Sequence, residues 1–235
     1  PEVTTGRVSK EGTMSSIQVY VRARPFSQGE RAAELRPIVR IEGDATHLRD
    51  SLGREQSFFF THCFDSVDPQ QSGYAGQKEV YDRMGTTILD NVFEGYNACF
   101  LAYGQTGSGK TYSMMGAPGE AEQGCIPRLC AHLFARMAAL QAQRPTSFQV
   151  VASYAEIYNE KVRDLLGKGV SGDGLRIRMH PLHGTRVEGL TSQTVTDMEG
   201  IISLIKRGNA RRSTAATKLN DTSSRSHALL TIQFS

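Results

Sequence analysis

Residues Gly104-Gln-Thr-Gly-Ser-Gly-Lys-Thr111 match the phosphate-loop pattern G-x-x-x-x-G-K-[ST] at every fixed position. Ahead of them runs Ala98-Cys-Phe-Leu-Ala-Tyr103, a short apolar segment that reads as a buried strand. Tyr112-Ser-Met-Met115 follows and can continue a helix from Lys110. A strand feeding a glycine-rich turn that opens a helix directs several backbone N–H groups into one small volume, where the helix dipole adds positive potential. Gly104, Gly107 and Gly109 permit the tight backbone that side chains would obstruct. Gln105, Thr106 and Ser108 complete the loop. Lys110 is a point charge for the β- and γ-phosphates, and the Thr111 hydroxyl is a ligand for Mg²⁺. A glycine-rich turn that binds nothing would not need all of these together. The stretch reads as a nucleoside triphosphate site.

A chain of 235 residues with 39% hydrophobic content can bury one sizeable core, and a single α/β unit of that length is ordinary. Its net charge of +3 comes from 27 basic and 24 acidic residues, too balanced to argue for nucleic acid. Clustered basic residues could still face an acidic partner. Cys63, Cys99, Cys125 and Cys130 form no C-x-x-C pair, and three of the 4 sit in apolar contexts. Reduced, buried thiols are expected, which suits the cytosol. No run approaches the roughly 18 apolar residues of a membrane helix, and no secretory leader is visible.

In chain order, residues 1–16 are polar and read as a flexible leader or a remnant of expression, with the domain running from 17 to 235. Ile17–Val21 alternates as a strand and runs into Arg22-Ala-Arg-Pro25, where proline ends it. Ile38–Ile41 and Phe58–Phe64 read as two more strands, and Asp65–Gly76 as a loop. Val80, Met84, Ile88, Leu89 and Val92 predict a helix over Gln77–Gly95. Ala117–Gly124 interrupts the next helix, which Ile126-Pro127 restarts with Leu129, Leu133, Phe134 and Met137 on one face. Phe148, Val150, Ala152 and Tyr154 mark a strand, Gly167–Gly174 a flexible tip, and Leu175–Met179 a half-exposed strand. His180 and His183 have spacing that a metal could use, but no cysteine or carboxylate lies close, so a surface loop is expected. Met198, Ile201, Ile202 and Ile205 give an amphipathic helix with Lys206, Arg207, Arg211 and Arg212 at its far end. Leu230, Ile232 and Phe234 alternate as the last strand. Strands alternating with helices predict a central mixed sheet with helices on both faces.

Between that basic helix and the last strand lies Asn220-Asp-Thr-Ser-Ser-Arg-Ser-His227. Its hydroxyls and amide suit phosphate oxygens or metal-bound water, and an arginine can clamp a carboxylate at two points. Taken alone, a capped, solvated loop would explain it. Together with GQTGSGKTYSM and SYAEIYNEKVRDLL, however, NDTSSRSH strongly resembles the kinesin motor head, from about Ile17 to Ser235. The resemblance is nearest to the kinesin-three transport subfamily, on YAGQKEVYDRMG, FEGYNACFLAYGQTGSGKTYSMMG, QGCIPRLCAHLF and HPLHG followed by VEGL.

The resemblance implies a P-loop NTPase fold, ATP or ADP with Mg²⁺, and tubulin as partner. It also implies a place on cytoplasmic microtubules, with no nucleic acid and no transmembrane segment. Arg22, Arg24 and Pro25 match the family's adenine-side motif, with Tyr112 on the other face of the base. Asn220, Ser223, Ser224 and Arg225 match the first nucleotide switch, where Ser223 and Ser224 would meet Mg²⁺ or the reacting phosphate. Lys110, Ser224 and Arg225 are the implied catalytic residues, with Thr111, Ser223 and Ser224 at the metal. His180–Leu190 resembles part of a loop that meets tubulin.

The family's second switch, D-L-A-G-x-E after an apolar strand, does not occur in these 235 residues. Asp50-Ser-Leu-Gly53 and Asp164-Leu-Leu-Gly167 share its D-x-x-G spacing but follow no apolar strand and read as chance matches. The chain is therefore expected to be the N-terminal portion of a motor head truncated before that switch. The complete head would be a microtubule-stimulated ATPase that couples hydrolysis to movement, while residues 1–235 alone are expected to show negligible stimulation. A module that holds nucleotide and tubulin without turnover is the alternative, and a P-loop enzyme phosphorylating a small substrate is a third.

Overall fold

The computed structural model describes residues 17–167, 174–181, 184–215 and 226–235. The leader over residues 1–16, most of the tip between Gly167 and Gly174, and His183 lie outside them. Two compact units divide the chain, residues 1–76 and residues 77–235.

In the first unit, β1 (Tyr20–Ala23) pairs in parallel with β5 (His62–Asp65). Between them in sequence, β2 (Val39–Glu42), β3 (Ala45–Arg49) and β4 (Glu55–Phe59) form an antiparallel meander. The single strand expected over Phe58–Phe64 is thus two. The chain changes sheets at Phe60 and Thr61, whose N–H groups donate to Asp44 O at 3.0 Å and Val19 O at 2.9 Å. A short helix α1 (Gln28–Ala32) follows Pro25 and starts with a capping box, Ser27 and Glu30 each bonding the other's backbone N–H.

The second unit is built around β6 (Val150–Tyr158). One edge of β6 pairs throughout with β11 (Ser226–Phe234), and β10 (Ser192–Val195) and β7 (Lys161–Asp164) also pair with it, all antiparallel. Asn159 and Glu160, at φ +48° and +60°, make the two-residue turn from β6 to β7. A separate hairpin joins β8 (Ile177–His180) to β9 (Gly184–Val187).

Three helices cover this sheet. Helix α2 (Gln77–Phe93) buries Gln77, Val80, Tyr81, Met84, Gly85 and Leu89, a stripe with helical spacing. Helix α4 (Cys125–Gln143) buries Cys125, Pro127, Cys130, Leu133 and Met137, and tolerates Pro127 because first-turn N–H groups have no intrahelical acceptor. Helix α5 (Met198–Ala215) buries Ile201, Leu204 and Ile205. Leu89 of α2, Cys130, Leu133 and Met137 of α4, and Ile201, Leu204 and Ile205 of α5 share one core with Val150, Ala152 and Tyr154 of β6, each large side chain contributing about 1.5–3 kcal/mol. Phe234 at the end of β11 reaches both Phe148 and Phe93, at centroid distances of 5.1 Å and 4.8 Å. On the opposite face, His227, Leu229, Thr231 and Gln233 of β11 are exposed.

One expectation is corrected. Ala98–Tyr103 is neither a strand nor buried, Leu101 being 79% and Tyr103 96% exposed. An apolar run becomes a strand only beside a ladder partner, and no described strand lies along it. The described strands pair in four groups, of 2, 4, 3 and 2 strands, parallel in one and antiparallel in the others, and with the helices they make the mixed α/β architecture expected of the chain. Cys63, Cys125 and Cys130 are buried and Cys99 is exposed, all four as free thiols. Burial pushes the Cys130 thiol up to about 12, which makes it inert. No helix among the described residues is long and apolar enough to cross a membrane.

Gly208 in α5 sits against Tyr154, and a Cβ there would lie 2.3 Å from the ring and 3.2 Å from Leu165. The ring cannot retreat freely, because its hydroxyl donates to Asn209 Oδ1 at 2.8 Å. Alanine normally improves a helix interior by about 1 kcal/mol over glycine, but overpacking a core costs about 1–3 kcal/mol. Gly208→Ala is therefore expected to lower stability by up to about 2 kcal/mol net. Urea unfolding checks the sign; a raised midpoint would refute the packing argument.

Candidate nucleotide site

Helix α3 (Lys110–Met115) opens at Gly109, whose φ of +95° places it in the left-handed region. Gly104 at +152° and Gly107 at +80° share that preference, so the approach to the helix bends where only glycine bends freely. A Cβ at Gly104 would also lie 2.4 Å from Ser108 Oγ. The Ser108 N–H closes a turn onto Gln105 O at 3.1 Å. Lys110 curls back beneath the loop, its Nζ donating to Gly104 O at 2.7 Å and Gln105 O at 2.8 Å. An ammonium has three donors, so a third remains for an anion. Thr111 is exposed beside it, and no Cβ shields the N–H groups of Gly107 and Gly109. A cation, a hydroxyl and bare backbone on one loop suit a phosphate and its Mg²⁺.

Tyr112 follows in the first turn of α3 and is 39% exposed. Its carbonyl accepts the Nε2 of buried Gln77, at 2.8 Å, which ties α3 to the start of α2.

Arg22, Arg24 and Pro25 belong to the first unit. Arg22 Nε donates to Ser66 Oγ at 2.9 Å. The Arg24 guanidinium meets Glu30 at two points, 2.7 Å and 2.8 Å, and also donates to Pro25 O. Hydrogen bonds from Arg24 first, then from Ser27, hold the Glu30 carboxyl down to about 2. Asn220, Ser223, Ser224 and Arg225 lie outside the described residues, although both flanks of that motif are described.

Those flanks reveal residues that the motif search missed. Glu156 is 1% exposed toward the end of β6, its carboxylate 3.1 Å from Arg212 Nε and 3.7 Å from Arg163. Arg212, near the end of α5, also donates to Ser226 Oγ at 2.7 Å, in the first residue of β11. One carboxylate thus ties α5 to β11, the elements on either side of residues 216–225. A signal was present: Val150, Ala152, Tyr154 and Glu156 share one strand parity, so the glutamate had to face the core.

Both D-x-x-G aspartates cap turns. Asp50 accepts from Leu52 N, Arg54 N and Arg54 Nε. Asp164 Oδ1 accepts from Leu166 N at 2.8 Å and Gly167 N at 3.0 Å, and Oδ2 from Thr191 N at 2.8 Å. Burial raises the Asp164 carboxyl, but the hydrogen bonds from Thr191, Leu166 and Gly167 outweigh it and leave the group below its ordinary value. Among the described residues, no cluster of three His, Cys, Asp or Glu side chains could hold a metal.

Residues 22–235 match the kinesin motor domain. This chain belongs to the kinesin family. Its motor-domain sequence is 46% identical over 231 residues to the kinesin-like protein Klp98A of Drosophila melanogaster, covering 94% of this chain and 18% of that protein. It is 44% identical over 222 residues to the kinesin-like protein unc-104 of Caenorhabditis elegans, covering 93% and 14%. These relatives are kinesin-three members, in line with the subfamily expected from the motifs. A solved KIF14 segment, bound to ADP and in complex with a microtubule, superposes with a TM-score of 0.81 at 41% identity, covering 93% of this chain and 61% of that one. A KIF14 dimer with AMP-PNP on a microtubule gives 0.82 at 42%, covering 94% and 61%. The fold is therefore that of the kinesin P-loop motor head, of which this chain spans about three-fifths.

Asp164→Asn is expected to destabilise this motor domain at pH 7 by about 1–3 kcal/mol, because an amide can accept on one side only and must turn its NH₂ toward either Thr191 or Leu166. The aspartate's value is depressed on folding, so its contribution is present above the unfolded value of about 3.9 and is lost as pH falls through the folded one. The gap between wild type and variant should accordingly shrink in acid. Unfolding midpoints from pH 7 to pH 3 test this, and a gap that persists unchanged would refute it.

Proposed function

We propose that this chain carries the nucleotide site of a microtubule-based motor that couples ATP hydrolysis to movement in the cytoplasm. The observation that carries the reading is the left-handed glycine loop curled over Lys110, on a chain of the kinesin family. Gly104–Thr111 hold the phosphates, with Lys110 as the cation and Thr111, Ser223 and Ser224 as the oxygens facing Mg²⁺. Bound Mg-ATP supplies the phosphoanhydride to be cleaved and the metal charge that offsets its oxygens. Ser224 and Arg225, from the segment flanked by α5 and β11, act at the γ-phosphate. Tyr112 takes a face of the base. In the first unit, Arg22, Arg24 and Pro25 are the adenine-side motif, with the Arg24 guanidinium fixed at two points by Glu30.

Tubulin is the proposed partner, met by the β8–β9 hairpin and the residues to Leu190. Arg178 and Arg186 are directly opposite in that hairpin, and Met179 is 77% exposed. Like charges facing across a ladder destabilise it, and among the described residues Glu188, 3.4 Å from Arg178, offsets them. An acidic surface would relieve that repulsion.

Two experiments test the proposal. Mg-ADP at about 100 times its dissociation constant should stabilise the protein by about 2.7 kcal/mol, a melting shift of about 5–10 °C for this size. Lys110→Ala should lose most of that shift, and equal shifts in both proteins would move the site elsewhere. In the full-length protein, phosphate release should rise on adding microtubules. The double charge reversal Arg178→Glu with Arg186→Glu should weaken co-sedimentation several-fold. Microtubule binding without stimulated release would leave a binding module; no binding at all would remove tubulin as the partner.

A further inference from the structure

The connection from α3 to α4, residues 116–124, is held at several points. Gly116 and Gly124 lie back to back: a Cβ on Gly116 would sit 2.0 Å from Glu122 O, and one on Gly124 would sit 2.6 Å from Gly116 N. Ala117 N donates to Glu122 O at 3.0 Å, and Gly124 N to Met115 O at 3.1 Å. From the first turn of α4, Arg128 donates to three carbonyls of the loop: Gln123 at 2.8 Å, Glu120 at 3.0 Å and Ala121 at 2.9 Å. That clamping fixes one side chain relative to the phosphate loop. The Tyr112 hydroxyl donates to Glu122 Oε2 at 2.5 Å. Gln77 meanwhile grips the Tyr112 carbonyl. Tyr112 is therefore held at its backbone and at the tip of its ring, two residues after Lys110.

An exposed pair of this kind ordinarily contributes little, because both side chains must be ordered to form it. Here the glycine neck and Arg128 have already fixed the backbone of Glu122, so the bond orders the tyrosine against a preset acceptor. We propose that Glu122 is a positioning residue for the purine base: through the Tyr112 hydroxyl it keeps the ring in one orientation for stacking. This rests on the proposed phosphate site and on Tyr112 as the base contact. Because the carboxylate acts through the ring, it governs how the base is held and leaves the polyphosphate unaffected.

The test is calorimetric titration of the full-length protein with Mg-ADP and with magnesium pyrophosphate, which has no base. Glu122→Ala and Tyr112→Phe should each weaken Mg-ADP about three- to tenfold, the worth of one hydrogen bond, with pyrophosphate within about twofold of wild type. The double variant should be no weaker than either single one, since both remove the same bond. Glu122→Gln, which keeps an acceptor oxygen, should recover most of the affinity, and Arg128→Ala should reproduce part of the loss by releasing the loop. Parallel losses for both ligands would reduce Glu122 to a support of α3 and overturn the proposal, as would unchanged Mg-ADP binding in Glu122→Ala. If wild type binds neither ligand, the phosphate-site reading itself fails and this proposal falls with it.

Discussion

A carboxylate enclosed within a sheet must find its counter-charges inside the protein, and Glu156 is such a group. Removing one partner of a buried ion pair typically costs about 3–5 kcal/mol, because the other is stranded away from water. Glu156 therefore obliges Arg163 of β7 and Arg212 of α5 to converge near the end of β6. Arg212 carries the constraint on to Ser226, where β11 starts. The helix layer, both edges of the sheet and the two flanks of the Asn220–Arg225 motif thus share one electrostatic anchor. Hydrophobic burial along α5 supplies the stability of that arrangement, while the ion pair sets its register.

Left-handed glycine serves two purposes a few residues apart. At Gly104, Gly107 and Gly109 it bends the chain into a loop whose interior is filled by the lysine that follows. At Gly116, with Gly124 opposite, it lets two backbones approach more closely than any side chain would allow. The first gives α3 a cationic, uncovered N-terminal loop, and the second returns the chain alongside α3. This six-residue helix is too short to be stable in isolation, so its position comes from these two bends and from Gln77.

The three long helices were legible because their apolar stripes repeat over several turns, as Val80, Met84 and Leu89 do in α2. The glycine loop was legible because its chemistry is local: each residue answers to its immediate neighbours. Ala98–Tyr103 was misread because a strand is a relation between segments, and apolar character alone cannot supply the partner. Strand β3 and helix α1 escaped notice because neither carries enough apolar residues in register to declare a period. In the site, Glu156 could be read from strand parity, whereas the Arg128 and Gln77 contacts depend on distant segments meeting and leave no trace in local pattern. The residues Asn220–Arg225 were legible as a motif and stand outside the described structure.

The facing arginines of the β8–β9 hairpin give dissolved salt two opposing effects. Mobile ions shorten the reach of every exposed charge, to about 8 Å near physiological strength. Screening weakens the repulsion between Arg178 and Arg186, so the isolated hairpin gains cohesion as salt is added. The same screening diminishes its attraction to any acidic surface. Ionic strength therefore trades the internal order of this two-stranded ribbon against its adhesiveness. The salt that steadies the ribbon is thus the same salt that weakens its pull on any negative surface.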